Sequence, residues 1–305
     1  MKKNITVMIV LILTILNLTA CSKAKEQSEQ VNATVKNSTS KPVHNTTNRT
    51  SATLEAKISV NEQVLLDEGD IKITLISLDN EGYWGPSLKL YVENNSDKDV
   101  TIKPRDVSIN DIMIRVLYSY KVQAGDKGES DFDFSSSDLE TAGIETIKDI
   151  QLKFNIVDTS TDETIFGSDV INITTSADPS YVQSYDDSGF VALDQNGYKI
   201  VVKNVDDTES YWGADIYLYI ENNSNTNITI QVRDTSINGI SIDPMFSCNV
   251  EAGKKAFDSI SFLEDDLTKN NIEKIENLEC SYTILDASTF GTLLNSDSIV
   301  VNFDE

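Results

Sequence analysis

Apolar and polar residues alternate along much of this chain with a period of two. Leu88, Leu90 and Val92 alternate with Lys89, Tyr91 and Glu93, and Ile150, Leu152, Phe154 and Ile156 alternate with Gln151, Lys153 and Asn155. Further on, Ile216, Leu218 and Ile220 repeat the first run, and Leu278, Cys280, Tyr282 and Ile284 repeat the second. Such alternation sets one face of each strand on a core and the other in water. Between the runs lie Asn94-Asn95-Ser96-Asp97, Asn110-Asp111, Ala124-Gly125-Asp126, Asn238-Gly239 and Ala252-Gly253. Asn and Gly tolerate positive φ, so these stretches predict hairpin turns. Alternation lapses at residues 137–142 and 265–270, where a short helical turn is predicted with Ser or Asp able to cap it.

The two halves are copies. At an offset of 128, residues 83–110 and 211–238 share YWG, LY, ENNS, TI, RD and SIN, sixteen identities in twenty-eight positions. Both tryptophans of the chain fall in these copies, as Trp84 and Trp212. Each unit of roughly 115 residues is long enough for its own core, and the period is too long for a solenoid. Seven to nine short strands per unit predict an antiparallel β-sandwich. The expected domains are residues 58–178 and 179–305.

The string YWG-x₂-[LI]-x-LY-[VI]-ENNS, followed by RD-x-SIN, resembles the immunoglobulin-like repeats of surface lipoproteins of Gram-positive, especially clostridial, bacteria. The resemblance covers both units, about 240 residues, and implies two tandem immunoglobulin-like antiparallel β-sandwiches. It implies no catalytic residue, no cofactor and no particular ligand. The first unit lacks the paired cysteines of antibody domains, so antibody homology is not implied.

The N-terminus sets an expected location. Lys2 and Lys3 precede an apolar run at residues 5–16, long enough for a signal peptide and short for a membrane span. It ends in Leu18-Thr19-Ala20-Cys21, which resembles a lipoprotein lipobox. Residues 1–20 are therefore expected to be a signal peptide. Cys21 would carry acyl chains (palmitate or a related acid), anchoring the chain on the outer face of the cell membrane. The alternative is an ordinary signal peptide in which Cys21 is incidental. Residues 22–57, rich in Ser, Thr, Asn and Lys, predict a disordered tether, since they bury too little apolar surface to offset ordering.

Charge narrows the partners. Net charge is −24, and residues 1–57 hold 8 of the 25 basic but only 3 of the 49 acidic residues. The remainder is strongly acidic and repels nucleic acid, whose phosphates need Lys and Arg clusters. A solvated surface, a basic partner and divalent cations are all compatible with it. The acidic turns at Asp131-x-Asp133, residues 158–163, Asp206-Asp207 and Glu264-Asp265-Asp266 offer carboxylates for calcium, but none matches an EF-hand loop. No metal site, cofactor or catalytic residue is assigned. The only histidine, His44, lies in the tether, outside either sandwich, and no phosphate loop is present.

Two questions stay open in the sequence. Cys248 and Cys280 both fall at core parity and could form a disulfide across the second sandwich or remain buried thiols. Tyr83-Trp84 and Tyr211-Trp212 could cover the sandwich edges, the expected arrangement, or stand exposed as aromatic ligand platforms. The expected role is non-catalytic binding or display at the cell envelope, with an envelope protein or wall polymer as partner. The alternatives are a structural spacer or accessory subunit, and a carbohydrate-binding module.

Overall fold

The computed structural model describes residues 57–207 and 213–303, and the backbone of residues 32–35. One short strand, β1 (Asn32–Val35), precedes the two copies. The first copy holds β2 (Gln63–Glu68), β3 (Ile71–Asp79), β4 (Ser87–Asn94), β5 (Val100–Ile109) and β6 (Ile112–Met113). It continues with β7 (Tyr120–Val122), β8 (Lys127–Asp133), helix α1 (Ser136–Thr141), β9 (Asp149–Asp158), β10 (Thr164–Gly167) and β11 (Ile171–Thr174). The second copy repeats this order as β12 (Phe190–Gln195), β13 (Tyr198–Asp206), β14 (Gly213–Asn222), β15 (Ile228–Ile237) and β16 (Ile240–Ser241). It ends with β17 (Cys248–Val250), β18 (Lys255–Leu263), helix α2 (Glu264–Lys269), β19 (Asn277–Asp286), β20 (Thr292–Asn295) and β21 (Ile299–Phe303).

Three sheets result. The first has the order β2-β3-β4-β8. The second runs β10-β9-β5-β6-β18-β14-β13-β12, with β11 also on β9 and β7 also on β5. The third runs β1-β21-β19-β15-β16, with β17 on β15 and β20 on β19. Each copy is thus a two-layer immunoglobulin-like sandwich, and the middle sheet is shared between them. Among the described residues every pairing is antiparallel except two: β1 on β21, and β6 on β18.

The period-two residues build two cores. In the first, Ile73, Leu90 and Phe132 from one sheet meet Ile102, Leu152 and Phe154 from the other, all essentially inaccessible. In the second, Ile200, Leu218 and Ile260 meet Ile230, Tyr282 and Ile284. Burying each such side chain stabilises by about 1.5–3 kcal/mol. The described residues all belong to one compact unit, Val31–Glu305.

The helical turns lie where alternation lapses. α1 is capped as expected: Ser135 Oγ accepts the Asp138 amide at 3.3 Å. α2 has no side-chain cap, because Leu263 occupies the cap position. Glu264, Asp265 and Asp266 in its first turn instead favour the positive end of the helix dipole.

Within the stretch read as a disordered tether, residues 32–35 pair in parallel with β21, from Asn32 opposite Val300 to Val35 opposite Phe303. Composition missed this because an edge strand offers its N–H and C=O groups to any extended backbone. The signal region, Cys21, His44 and the remainder of the tether up to residue 56 lie outside the described residues.

Candidate functional site

Most of the repeated string has backbone duties. Gly85 adopts φ +137° and Gly213 φ +112°. A Cβ on either would overlap a carbonyl oxygen, that of Phe134 or of Phe262. The first Asn of ENNS is fully buried in both copies. The Asn94 amide donates to the carbonyls of Lys98, Val122 and Gln123 at 2.7, 3.1 and 3.0 Å, while its Oδ1 accepts from Ser96. Asn222 does the same with Thr226, Val250 and Ser224. ENNS is therefore a turn, as expected, and also a plug joining two neighbouring turns.

The Asp of RD takes φ +52° at Asp106 and +50° at Asp234, each in a break of strand register. The Asn of SIN takes φ +50° at Asn110 and +52° at Asn238. Its Oδ1 accepts two consecutive amides, of Lys148 and Asp149 in one copy and of Glu276 and Asn277 in the other.

The side chains of Tyr83 and Trp84 have no such duty, although the Trp84 carbonyl accepts the Ser136 amide. Tyr83 is 91% exposed and Trp84 68% exposed. Their rings meet edge to face, centroids 4.8 Å apart and planes at 90°. The expectation that Trp84 covers the sandwich edge is therefore overturned. The tight turn closed by Gly85 N–H to Gly82 O at 3.1 Å holds both rings ahead of the start of β4. Tyr211 and Trp212 lie outside the described residues.

The cysteines are both buried and free. They sit in one sheet and not across the core: Cys248 on β17 is opposite Ile230, which is opposite Ile284 on its other side. Cys280 lies four residues before Ile284 on β19. Two strand spacings (about 10 Å) and four residues of rise (about 13 Å) exceed the roughly 7 Å a disulfide spans. Burial pushes the Cys280 thiol up to about 12, and burial with the nearby Asp258 carboxylate raises that of Cys248.

The acidic turns have protein partners. Asp131 pairs with Lys89 at 2.7 Å, Asp158 with Lys98 at 3.1 Å, and Asp266 with Lys269 at 3.2 Å. Asp207 accepts the Ile275 amide at 2.9 Å. Among the described residues no three His, Cys, Asp or Glu side chains converge as metal ligands. No helix among them is long and apolar enough to cross a membrane.

The ion pairs at the junction of the copies carry no sequence motif, although Asp111 belongs to the predicted turn Asn110-Asp111. Lys254 Nζ lies 2.6 Å from Asp111, Arg115 3.2 Å from Asp258, and Lys153 2.7 Å from Glu251. Burial acts to lower the Lys153 pKa, but the hydrogen bonds that its amine donates to Asp106 and Glu251 outweigh it and hold the amine above its ordinary value. A crevice of about 670 Å³ opens beside the Arg115–Asp258 pair, lined by Met113, Asp138, Met245 and Phe257 among others. Burial raises the Asp138 carboxyl there.

No protein-family model and no curated protein matches this chain. Among solved structures it is similar to the Salmonella enterica SafA pilin in complex with the SafB chaperone. The identity is 12%, over 71% of this chain and 88% of that one, with a TM-score of 0.19. So distant a likeness carries no argument about role, and the sandwich assignment rests on the sheets themselves.

Proposed function

We propose that this is a lipid-anchored protein of the cell envelope that binds, without catalysis, through the aromatic turn at Tyr83-Trp84 and its copy at Tyr211-Trp212. One observation carries the reading. The other residues of the first copy's YWG, ENNS, RD and SIN signature considered above have a backbone or burial duty, while the rings of Tyr83 and Trp84 are held in solvent. Large aromatic rings kept exposed by a rigid turn suit stacking against sugar rings or an apolar protein surface. The lipobox at residues 18–21 and the resemblance to Gram-positive surface lipoproteins support the location, and a wall polymer or envelope protein is the partner class. The test is co-sedimentation of the chain with cell-wall glycan, comparing wild type with Trp84→Ala/Trp212→Ala. Equal retention of both would remove the aromatic turns from the binding role. For the anchor, Cys21→Ala should leave the chain unprocessed or released to the medium, and a processed, membrane-retained variant would refute it.

A second reading, a rigid spacer or accessory subunit, draws on the shared middle sheet and the three ion pairs at the junction. A spacer needs no exposed aromatic pair, so the same co-sedimentation separates the two.

A further inference from the structure

The junction can be compared with the outer ends of the molecule, because the copies correspond residue for residue. The first copy offers β6 and its neighbours, and the second offers the outer edge of β18, with Lys255 opposite Ile112 and Ala256 opposite Met113. By the 128-residue offset, the second copy carries an equivalent of the first surface at β16, and the first copy an equivalent of the second at β8. Both are sheet edges. A second chain could in principle extend the array by placing its β8 against β16, a head-to-tail contact that does not close on itself.

The residues that make the internal junction are missing from those ends. Asp111–Lys254 becomes Gly239 facing Asp126. Arg115–Asp258 becomes Asp243 facing Ser130, and Lys153–Glu251 becomes Ser281 facing Gln123. The apolar contacts change as well. Met113, packed against the second core, corresponds to Ser241, and Phe257, packed against the first core, corresponds to Glu129. Backbone complementarity survives at the ends, since β8 and β16 hold the same places in their sheets as β18 and β6. Side-chain complementarity does not: end-to-end docking would bury Asp126 and Glu129, the counterparts of Lys254 and Phe257, with no opposite charge across from them, and would leave Asp243 unpaired at the rim, an unfavourable arrangement.

We propose that the β6 face of the first copy is a specific docking surface for the β18 face of the second, read by these three ion pairs and two apolar plugs, and that their absence from the outer ends limits the array to two. Specificity lies in side chains and not in the strand edges, so it is transferable.

The test uses two full-length variants. One carries Gly239→Asp, Ser241→Met, Asp243→Arg and Ser281→Lys. The other carries Gln123→Glu, Asp126→Lys, Glu129→Phe and Ser130→Asp. Gly239 accepts a side chain: nothing lies within 4 Å of its Cβ direction, and Asp111 holds φ +66° at the equivalent place. Sedimentation velocity should show wild type and each variant alone as monomers, and their equimolar mixture as a one-to-one complex. A monomeric mixture of folded variants, or end-to-end assembly by wild type, would overturn the proposal. Should either variant misfold, charge exchange at the internal junction decides. Lys254→Glu should lower the thermal midpoint, and Asp111→Lys added to it should restore the wild-type value. Failure to restore also overturns the proposal.

Discussion

The carbonyl of Trp84 accepts the Ser136 amide at 2.9 Å, while the Trp84 indole stands in solvent. Backbone and side chain of this residue thus answer to different demands. The backbone ties the turn ahead of β4 to the first residue of α1, and the ring is no part of the buried core.

Trp84→Ala should therefore leave stability within about 0.5 kcal/mol of wild type, as at ordinary surface sites. Gly85→Ala, one residue on, should cost more than about 1–3 kcal/mol, because it combines a positive φ with overlap of the Phe134 carbonyl. Denaturant melts of the two variants check this. The reverse order of stabilities would return the indole to a core role.

Asn94→Ala should be among the more damaging polar substitutions. It strands carbonyls of Lys98, Val122 and Gln123, at about 1–3 kcal/mol for each one left buried and unpaired. Asn222→Ala should act alike in the second copy. Thermal melts showing either variant unchanged would mean that water replaces the amide.

Asp158 and Asp286 occupy equivalent turns, and each carboxylate is held down to about 2. In both the leading cause is a hydrogen bond from the Ser hydroxyl two residues on, Ser160 or Ser288, with amide hydrogen bonds adding to it. A folded-state pKa below the ordinary 3.8 stabilises the fold above about pH 4, and that contribution disappears as pH falls from about 4 through 2. Asn at both positions should flatten the acid limb of the stability profile over that window. Identical limbs for variant and wild type, in urea melts at stepped pH, would exclude these turns as a source of acid sensitivity.

Cys248 and Cys280, buried with raised thiol pKa values, should resist a maleimide at pH 8 until the second sandwich unfolds. Peptide mapping by mass spectrometry distinguishes them from Cys21. Rapid labelling of either in native chain, or a Cys248–Cys280 cross-linked peptide after oxidation, would contradict the strand placement.

Alternation and the repeat made the strands and both cores legible, because a period of two leaves one arrangement that buries Leu88, Leu90 and Val92 together. The place of Trp84 was not legible. Its burial depends on which side of the Gly82–Gly85 bend it falls, and periodicity carries no information about bends. Asn94 was read only as a turn residue, since a polar side chain buried by three carbonyls has the same letter as one in water. The two cysteines were correctly placed at buried positions, yet their separation depends on strand order, with β15 lying between β17 and β19. The junction was hidden for a related reason: Asp111 and Lys254 are 143 residues apart and differ from their counterparts in the other copy.

The shared middle sheet also has a mechanical meaning. The connection between the copies is strapped to both. Lys148 Nζ donates to the carbonyls of Pro179 and Tyr181, Gln183 Nε2 donates to that of Gly143, and Tyr185 stacks on Tyr219 at 5.4 Å beneath Lys255. Tension across the junction is then divided among this strap, the β6–β18 ladder and the ion pairs, which must yield together before the copies separate. Under load the chain should behave as a strut with one high first rupture, where two beads on a slack string would extend freely before either resisted.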